Sequence, residues 1–122
     1  GSKVAVKMTD LDRTPLERIQ NDVSMLTSLS HPNIVQMYSI FVESRYASMV
    51  MTCFSGGDLL NGLSLHKKLG CRQSVHISRQ VALAVQYLHR NRVVHRDVKG
   101  DNILADRSDL TDPECHVALG DF

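Results

Sequence analysis

The stretch His95-Arg96-Asp97-Val98-Lys99-Gly100-Asp101-Asn102 restricts the fold of this 122-residue chain more than any other. It concentrates charged and amide side chains between two apolar pieces, Val93-Val94 and Ile103-Leu104-Ala105, and so reads as a polar loop that feeds a strand. Upstream, from about Ser74 to His89, the residues Ile77, Val81, Ala84, Val85 and Leu88 recur at helical spacing, which predicts an amphipathic helix with one buried stripe. His76 and His89 on that helix are expected to be surface or capping residues. Downstream, Ile103-Leu104-Ala105 reads as a strand and His116-Val117-Ala118-Leu119 as its return partner. The long polar turn between them, residues 106–115 with Asp112-Pro113, is expected to be variable surface without a catalytic role.

The N-terminal half is read the same way. Val4, Val6 and Met8 alternate with Ala5 and Lys7, which predicts a strand over Lys3–Met8 carrying one lysine. Thr14-Pro15-Leu16-Glu17 predicts a helix start, with the Thr14 hydroxyl and Glu17 forming a capping box, and the helix is expected to run to about Leu29. Two short strands, Val35–Ile40 and Ser48–Thr52, follow around the polar turn Glu43-Ser44-Arg45. Cys53-Phe54-Ser55-Gly56-Gly57-Asp58-Leu59 leads into a short helix and polar connector ending near Leu69, where Lys67-Lys68 reads as a solvated pair.

Composition narrows the possible partners. A chain that is 43% hydrophobic and 22% charged, with net charge +1, has no electrostatic pull toward nucleic acid or an acidic membrane. Cys53, Cys71 and Cys115 are odd in number and widely spaced, which favours reduced thiols in the cytosol or nucleus over a disulfide framework or zinc site. No apolar run approaches a membrane span and the N-terminus has no signal-peptide pattern.

Five of the eight positions in the polar loop, His95, Arg96, Asp97, Lys99 and Asn102, match in order the catalytic loop of eukaryotic protein kinases. Five fixed positions coincide by chance roughly once in three million start sites. Four further motifs fall in family order. Val4-Ala5-Val6-Lys7 resembles the strand whose lysine holds the α- and β-phosphates of ATP, and His31-Pro32-Asn33-Ile34-Val35 resembles the connection from helix C to the fourth strand. Cys53–Leu59 resembles the hinge between lobes, and Asp121-Phe122 resembles the start of the metal-binding tripeptide Asp-Phe-Gly. The resemblance implies the α+β class and a partial protein-kinase-like bilobal fold. An incomplete small-lobe antiparallel sheet with helix C would occupy residues 1–52, the hinge 53–57, and the first part of the helical large lobe 58–122.

The resemblance also implies chemistry: transfer of the ATP γ-phosphate to protein serine or threonine hydroxyls with Mg²⁺, since a lysine two positions after Asp97 is like the serine/threonine-directed branch. Asp97 would accept the hydroxyl proton and Lys99 would stabilise the γ-phosphate. Asn102 and Asp121 would hold Mg²⁺, while Lys7 paired with Asp22 would position the nucleotide phosphates. Ala5 and Leu104 would sandwich adenine, Met51 would guard the back of the pocket, Thr52, Cys53 and Phe54 would face adenine, and Asp58 would meet the ribose. Leu26, Met37, His95 and Phe122 match a stacked column linking the lobes. The main departure is Asp22, where the family pattern has glutamate. Aspartate keeps the charge but is about 1.5 Å shorter, and Glu17 lies about 140° away around the helix.

No Gly-x-Gly-x-x-Gly loop precedes Lys7, and the activation segment would lie after Phe122. The expectation is therefore a serine/threonine kinase fragment that is inactive by itself, its first strand left with an unpaired edge that favours marginal stability or self-association. The alternative is a pseudokinase or scaffold that keeps the fold without turnover, for which Asp22 is the motif-level support.

Overall fold

The alternation around Lys7 produces strand β1 (Val4–Asp10), two residues longer at its C-terminal end than the sequence pattern. The computed structural model describes residues 3–66 and 68–120. β1 pairs antiparallel with β3 (Tyr46–Thr52), which pairs in turn with β2 (Met37–Glu43), so the sheet runs β1-β3-β2 and β1 is an edge strand. Ser44 and Arg45 form the whole β2–β3 turn, with Ser44 at φ 51°, the sign that primed hairpin turns require at their first central position. Such a tight turn carries the ladder through Phe41↔Ser48, Val42↔Ala47 and Glu43↔Tyr46, so both strands extend further toward the turn than the pattern indicated. A register shift between Met37 and Ser39 makes Tyr38 the extra residue of a bulge.

Helix α1 (Leu16–Ser28) lies on this sheet. Ile19, Val23 and Leu26, at i, i+4 and i+7, place one stripe against Met37, Ala47 and Met49, with Leu11, Ile40 and Met51 around them. Each valine, leucine, isoleucine or methionine among them stabilises the fold by about 1.5–3 kcal/mol when fully buried. The expected capping box is not formed. Pro15 sits at the N-cap with φ −59° and ψ 141°, and no side chain caps the helix. Thr14 is held in the turn that closes β1, its N–H donating to Asp10 O at 3.1 Å, one residue too early to cap.

These elements form one compact unit, made of residues up to Ser30 and Gln36–Cys53; His31–Val35 and the chain from Phe54 onward form a second. In the second unit, helix α2 (Leu59–His66) follows the two-residue strand β4 (Gly57–Asp58), and helix α3 (Cys71–Arg90) runs for 20 residues, starting three residues before the apolar stripe suggested. Its stripe buries Ile77, Ala84 and Leu88. The helix ends on a Schellman motif: Arg92 adopts φ 61°, its N–H bonds His89 O at 3.1 Å, and Val93 N–H reaches back to Leu88 O at 2.9 Å. Strands β5 (Ile103–Ala105) and β6 (Val117–Leu119) pair as expected, with β4 on the outer edge of β5.

β6 is buried along its length and tied to α3 through Gln80. Gln80 Oε1 accepts from Val117 N–H at 2.9 Å, its Nε2 donates to Cys115 O at 3.1 Å, and Asn33 Nδ2 bridges Val117 O and Gln80 Oε1 at 2.9 and 3.1 Å. His76 Nε2 donates to the same Cys115 carbonyl at 2.9 Å. Among the described residues no helix is long and apolar enough to cross a membrane.

Candidate active site

The polar loop 95–102 is built outward from a buried histidine. His95 is 6% exposed. Its Nε2–H donates to Gly120 O at 2.6 Å and its Nδ1 accepts the Asp97 N–H at 3.0 Å, which fixes the neutral Nε2–H tautomer. The main chain therefore turns sharply between His95 and Asp97, and Arg96 takes φ 75°, a left-handed conformation rare for a residue with a Cβ.

Asn102 completes the frame. It closes a short 3-10 turn, Gly100–Asn102, with its N–H on Lys99 O at 3.0 Å, and the residue is 6% exposed. Its Nδ2 donates to Asp97 O at 2.8 Å and Asp97 Oδ2 at 3.1 Å. Lys99 Nζ stands 3.6 Å from the same Oδ2. Three residues singled out in the sequence, Asp97, Lys99 and Asn102, are thus in mutual contact. The carboxylate is 56% exposed and the ammonium 53%, so a reactant can reach both. Both contacts fall on Oδ2 and neither on Oδ1, so one oxygen is oriented while the other keeps its capacity to accept a proton.

The donor set fits a hard cation. With its amide nitrogen engaged by Asp97, Asn102 offers Oδ1 as an oxygen ligand of the kind Mg²⁺ prefers. Gly120 N–H donates to Asn102 O at 2.8 Å, tying the residue that precedes Asp121 in sequence to the same frame. Asp121, with Phe122, lies outside the described residues. Among the described residues no group of three His, Cys, Asp or Glu side chains forms a metal cage.

The other candidates are placed on each unit separately. In the first, register pairs Ala5 with Met51 and Lys7 with Met49, so Ala5 and Lys7 share the sheet face against which α1 packs. Asp22 lies on α1 three residues after buried Ile19 and four before Leu26, about 40° beyond the Leu26 edge of the packing stripe, and is exposed. Thr52 N–H bonds Gln36 O at 2.9 Å, and Met51, Thr52 and Cys53 are half-buried. Leu26 and Met37 fall in one apolar cluster. In the second unit, Leu104 is half-buried on the central strand β5. Asp58 caps α2: its Oδ1 accepts the Asn61 N–H and its Oδ2 the Asn61 Nδ2, both at 2.9 Å.

Two features escaped the sequence pattern. One is His95 as the group that orients Asp97, a role set by contacts with Asp97 and with Gly120, 25 residues on. The other is the 106–115 turn, which is folded rather than loose. Arg107 bonds Asp106 through Nε (3.1 Å) and Nη2 (2.9 Å) and Asp112 through Nη1 (3.0 Å). The guanidinium holds the Asp106 carboxyl below its usual range, and the Glu114 N–H followed by Arg107 does the same for Asp112; Arg107 is raised in turn. Leu110 and Cys115 are each 1% exposed, and burial pushes the Cys115 thiol up. Leu110 lies against Gly62, where an added Cβ would come within 2.5 Å of its Cδ1.

Comparison with known proteins places this geometry. The sequence model of the protein kinase domain matches residues 1–122. Human NUAK family SNF1-like kinase 1 is 33% identical over 126 aligned positions, covering 100% of this chain and 18% of the relative. Human NUAK family SNF1-like kinase 2 is 38% identical over 110 positions, 87% of this chain and again 18% of the relative. The chain thus spans about a fifth of the length of these curated relatives. The crystal structure of Rad53 1-466 in complex with AMP-PNP matches with TM-score 0.86 at 32% identity, over 100% of this chain and 31% of that one. The α+β arrangement is that of a partial kinase fold, and with the match running along all 122 residues, the chain belongs to the protein kinase domain family.

Proposed function

We propose that the intact protein containing this chain is an ATP-dependent protein serine/threonine kinase. The observation that carries the reading is the contact of Asp97 with both Lys99 and Asn102 around a single carboxylate oxygen. Asp97 orients a substrate hydroxyl and accepts its proton as the oxygen attacks phosphorus. Lys99, held beside it, stabilises the charge on the transferring phosphoryl group. Asn102 Oδ1 and Asp121 are the oxygen ligands offered to Mg²⁺, which when bound neutralises phosphate charge. Lys7 and Asp22 position the phosphates from the first unit. Of the first unit, Ala5 is assigned to a face of adenine, Met51 to the back of its pocket and Thr52 and Cys53 to its edge; of the second, Leu104 is assigned to a face, Phe54 to the edge and Asp58, which also caps α2, to the ribose. AMP-PNP, an ATP analogue, in the Rad53 complex supports a nucleotide of this class, and the names of the NUAK kinases support phosphoryl transfer.

Domain limits of 1–52, 53–57 and 58–122, a protein substrate and an intracellular location belong to the same proposal. A scaffold reading is favoured by one observation, aspartate at position 22. The test is transfer of labelled γ-phosphate by the intact protein to matched serine, threonine and tyrosine peptides. Transfer to serine or threonine that is lost in Asp97→Asn is expected; tyrosine preference overturns the hydroxyl assignment. Binding of Mg²⁺-ATP without transfer to any peptide establishes the scaffold.

A further inference from the structure

The folded 106–116 loop is attached to the residues that follow Cys53. Ser55 Oγ donates to Asp106 O at 3.2 Å and Gly56 N–H to Ala105 O at 2.9 Å. A Cβ at Gly56 would overlap the Arg107 backbone, so the two main chains touch with no side chain between them. The Phe54 ring tilts against the His116 ring, centroids 5.6 Å apart at 57°. Three consecutive residues thus each rest on the loop or on the strand end that begins it.

The loop has its own anchors. Leu110 is buried against Gly62 of α2, and Gln73 Nε2 of α3 donates to Asp112 O at 3.0 Å. At its base Asp106 N–H donates to His116 O and Asp106 Oδ1 accepts the His116 N–H, both at 2.9 Å. One side chain joins base to far side: Arg107, forked across Asp106 and Asp112. A planar guanidinium can span two carboxylates at once, which an ammonium cannot do with the same fixed geometry.

We propose that Arg107 is a positioning residue for nucleotide binding, holding Phe54–Gly56 through the 106–116 loop and thereby setting nucleotide affinity and base preference. The inference rests on the kinase reading above, in which Phe54 borders adenine. The side-chain partners of Arg107, Asp106 and Asp112, are not among the residues assigned to the phosphates. Loss of Arg107 should loosen recognition of the base and leave phosphoryl transfer at saturating nucleotide largely intact.

The experiment is calorimetric titration of Mg²⁺-ATP and Mg²⁺-GTP into the intact protein, with transfer rates measured alongside. Arg107→Ala is expected to raise the ATP dissociation constant about three- to tenfold and to narrow the ATP-over-GTP preference, with kcat within about twofold of wild type. Arg107→Lys should recover only part of the loss. Asp112→Asn combined with Arg107→Ala should be no worse than Arg107→Ala alone, because both break one contact set. Should Arg107→Ala not fold, Arg107→Gln carries the same test. Unchanged ATP affinity and unchanged base preference overturn the proposal, as does a lower melting temperature with the preference intact, which marks a purely structural arginine. Failure of the wild-type protein to bind Mg²⁺-ATP overturns the kinase reading itself and this inference with it.

Discussion

The loop around Asp97 and the α1–β1 face around Lys7 and Asp22 carry comparable charge but are secured differently. Asp97 is held at its N–H by His95, at its carbonyl and Oδ2 by Asn102, and at Oδ2 again by Lys99. Two of the three holders are buried. Lys7 and Asp22 are exposed, on an edge strand and on a helix without a side-chain cap. A group that must meet a hydroxyl at hydrogen-bond distance gains from being over-determined, since small displacements cost rate steeply. Lys7 and Asp22 stand at the surface of an edge strand and of a helix whose first turn no side chain caps, and local opening there should require less free energy.

The contrast is broken most severely by Asn102→Ala. It removes the amide from Asp97 and the offered oxygen ligand together, so transfer should fall by about 10²–10⁴-fold. The orphaned Asp97 carbonyl should cost about 1–3 kcal/mol of stability. A transfer assay with a denaturant titration checks both. Next is Leu110→Ala, expected to destabilise by about 2–5 kcal/mol if the 106–115 loop is core rather than surface; a change below about 0.5 kcal/mol in urea unfolding would return the loop to the surface class.

Burial of Leu110 separates what the local sequence encodes from what only the fold brings together. Strands β1, β3, β5 and β6, the body of α3 and the 95–102 loop follow from periodicity and motif, because their signals lie within a few residues. Leu110, Asp112 and Cys115 sit in a segment of turn-forming residues whose partners, Gly62, Gln73 and His76, are about 40 residues or more away. No local pattern records such contacts. The α1 cap misled for a related reason: the Thr14 pattern is sound locally, but the turn to Asp10 claims its backbone first. Asp97, Lys99 and Asn102 were legible as a set, whereas His95 as their orienting group depended on Gly120 coming near.

Asp22→Glu sharpens the comparison at the looser face. If α1 can adjust, the longer carboxylate should raise kcat/KM for ATP by about two- to tenfold, and Asp22→Asn should lower it by a similar factor. Equal activity in all three proteins would remove Asp22 from the phosphate-positioning pair.

The smallest effect is a pH dependence. Burial holds the His31 imidazole below its ordinary value of 6.5, with Nδ1 accepting the Asn33 N–H at 3.0 Å and the ring 5.0 Å from that of Tyr87. Because the folded state favours the neutral ring, this contribution is present above pH 6.5 and lost as pH falls through the lower folded value. Melting curves between pH 7.5 and about 5.5 should show a decline that is shallower in His31→Gln. An identical slope in both proteins would place the dependence elsewhere.

The most direct measurement is single-turnover transfer by Asp97→Asn in the intact protein, with Mg²⁺-ATP affinity determined on the same sample. The geometry around Oδ2 predicts a rate about 10²–10⁴-fold below wild type with ATP affinity within about threefold, since the carboxylate serves the hydroxyl and not the nucleotide. A rate within about fivefold of wild type, or a loss accounted for by weakened ATP binding, would contradict it.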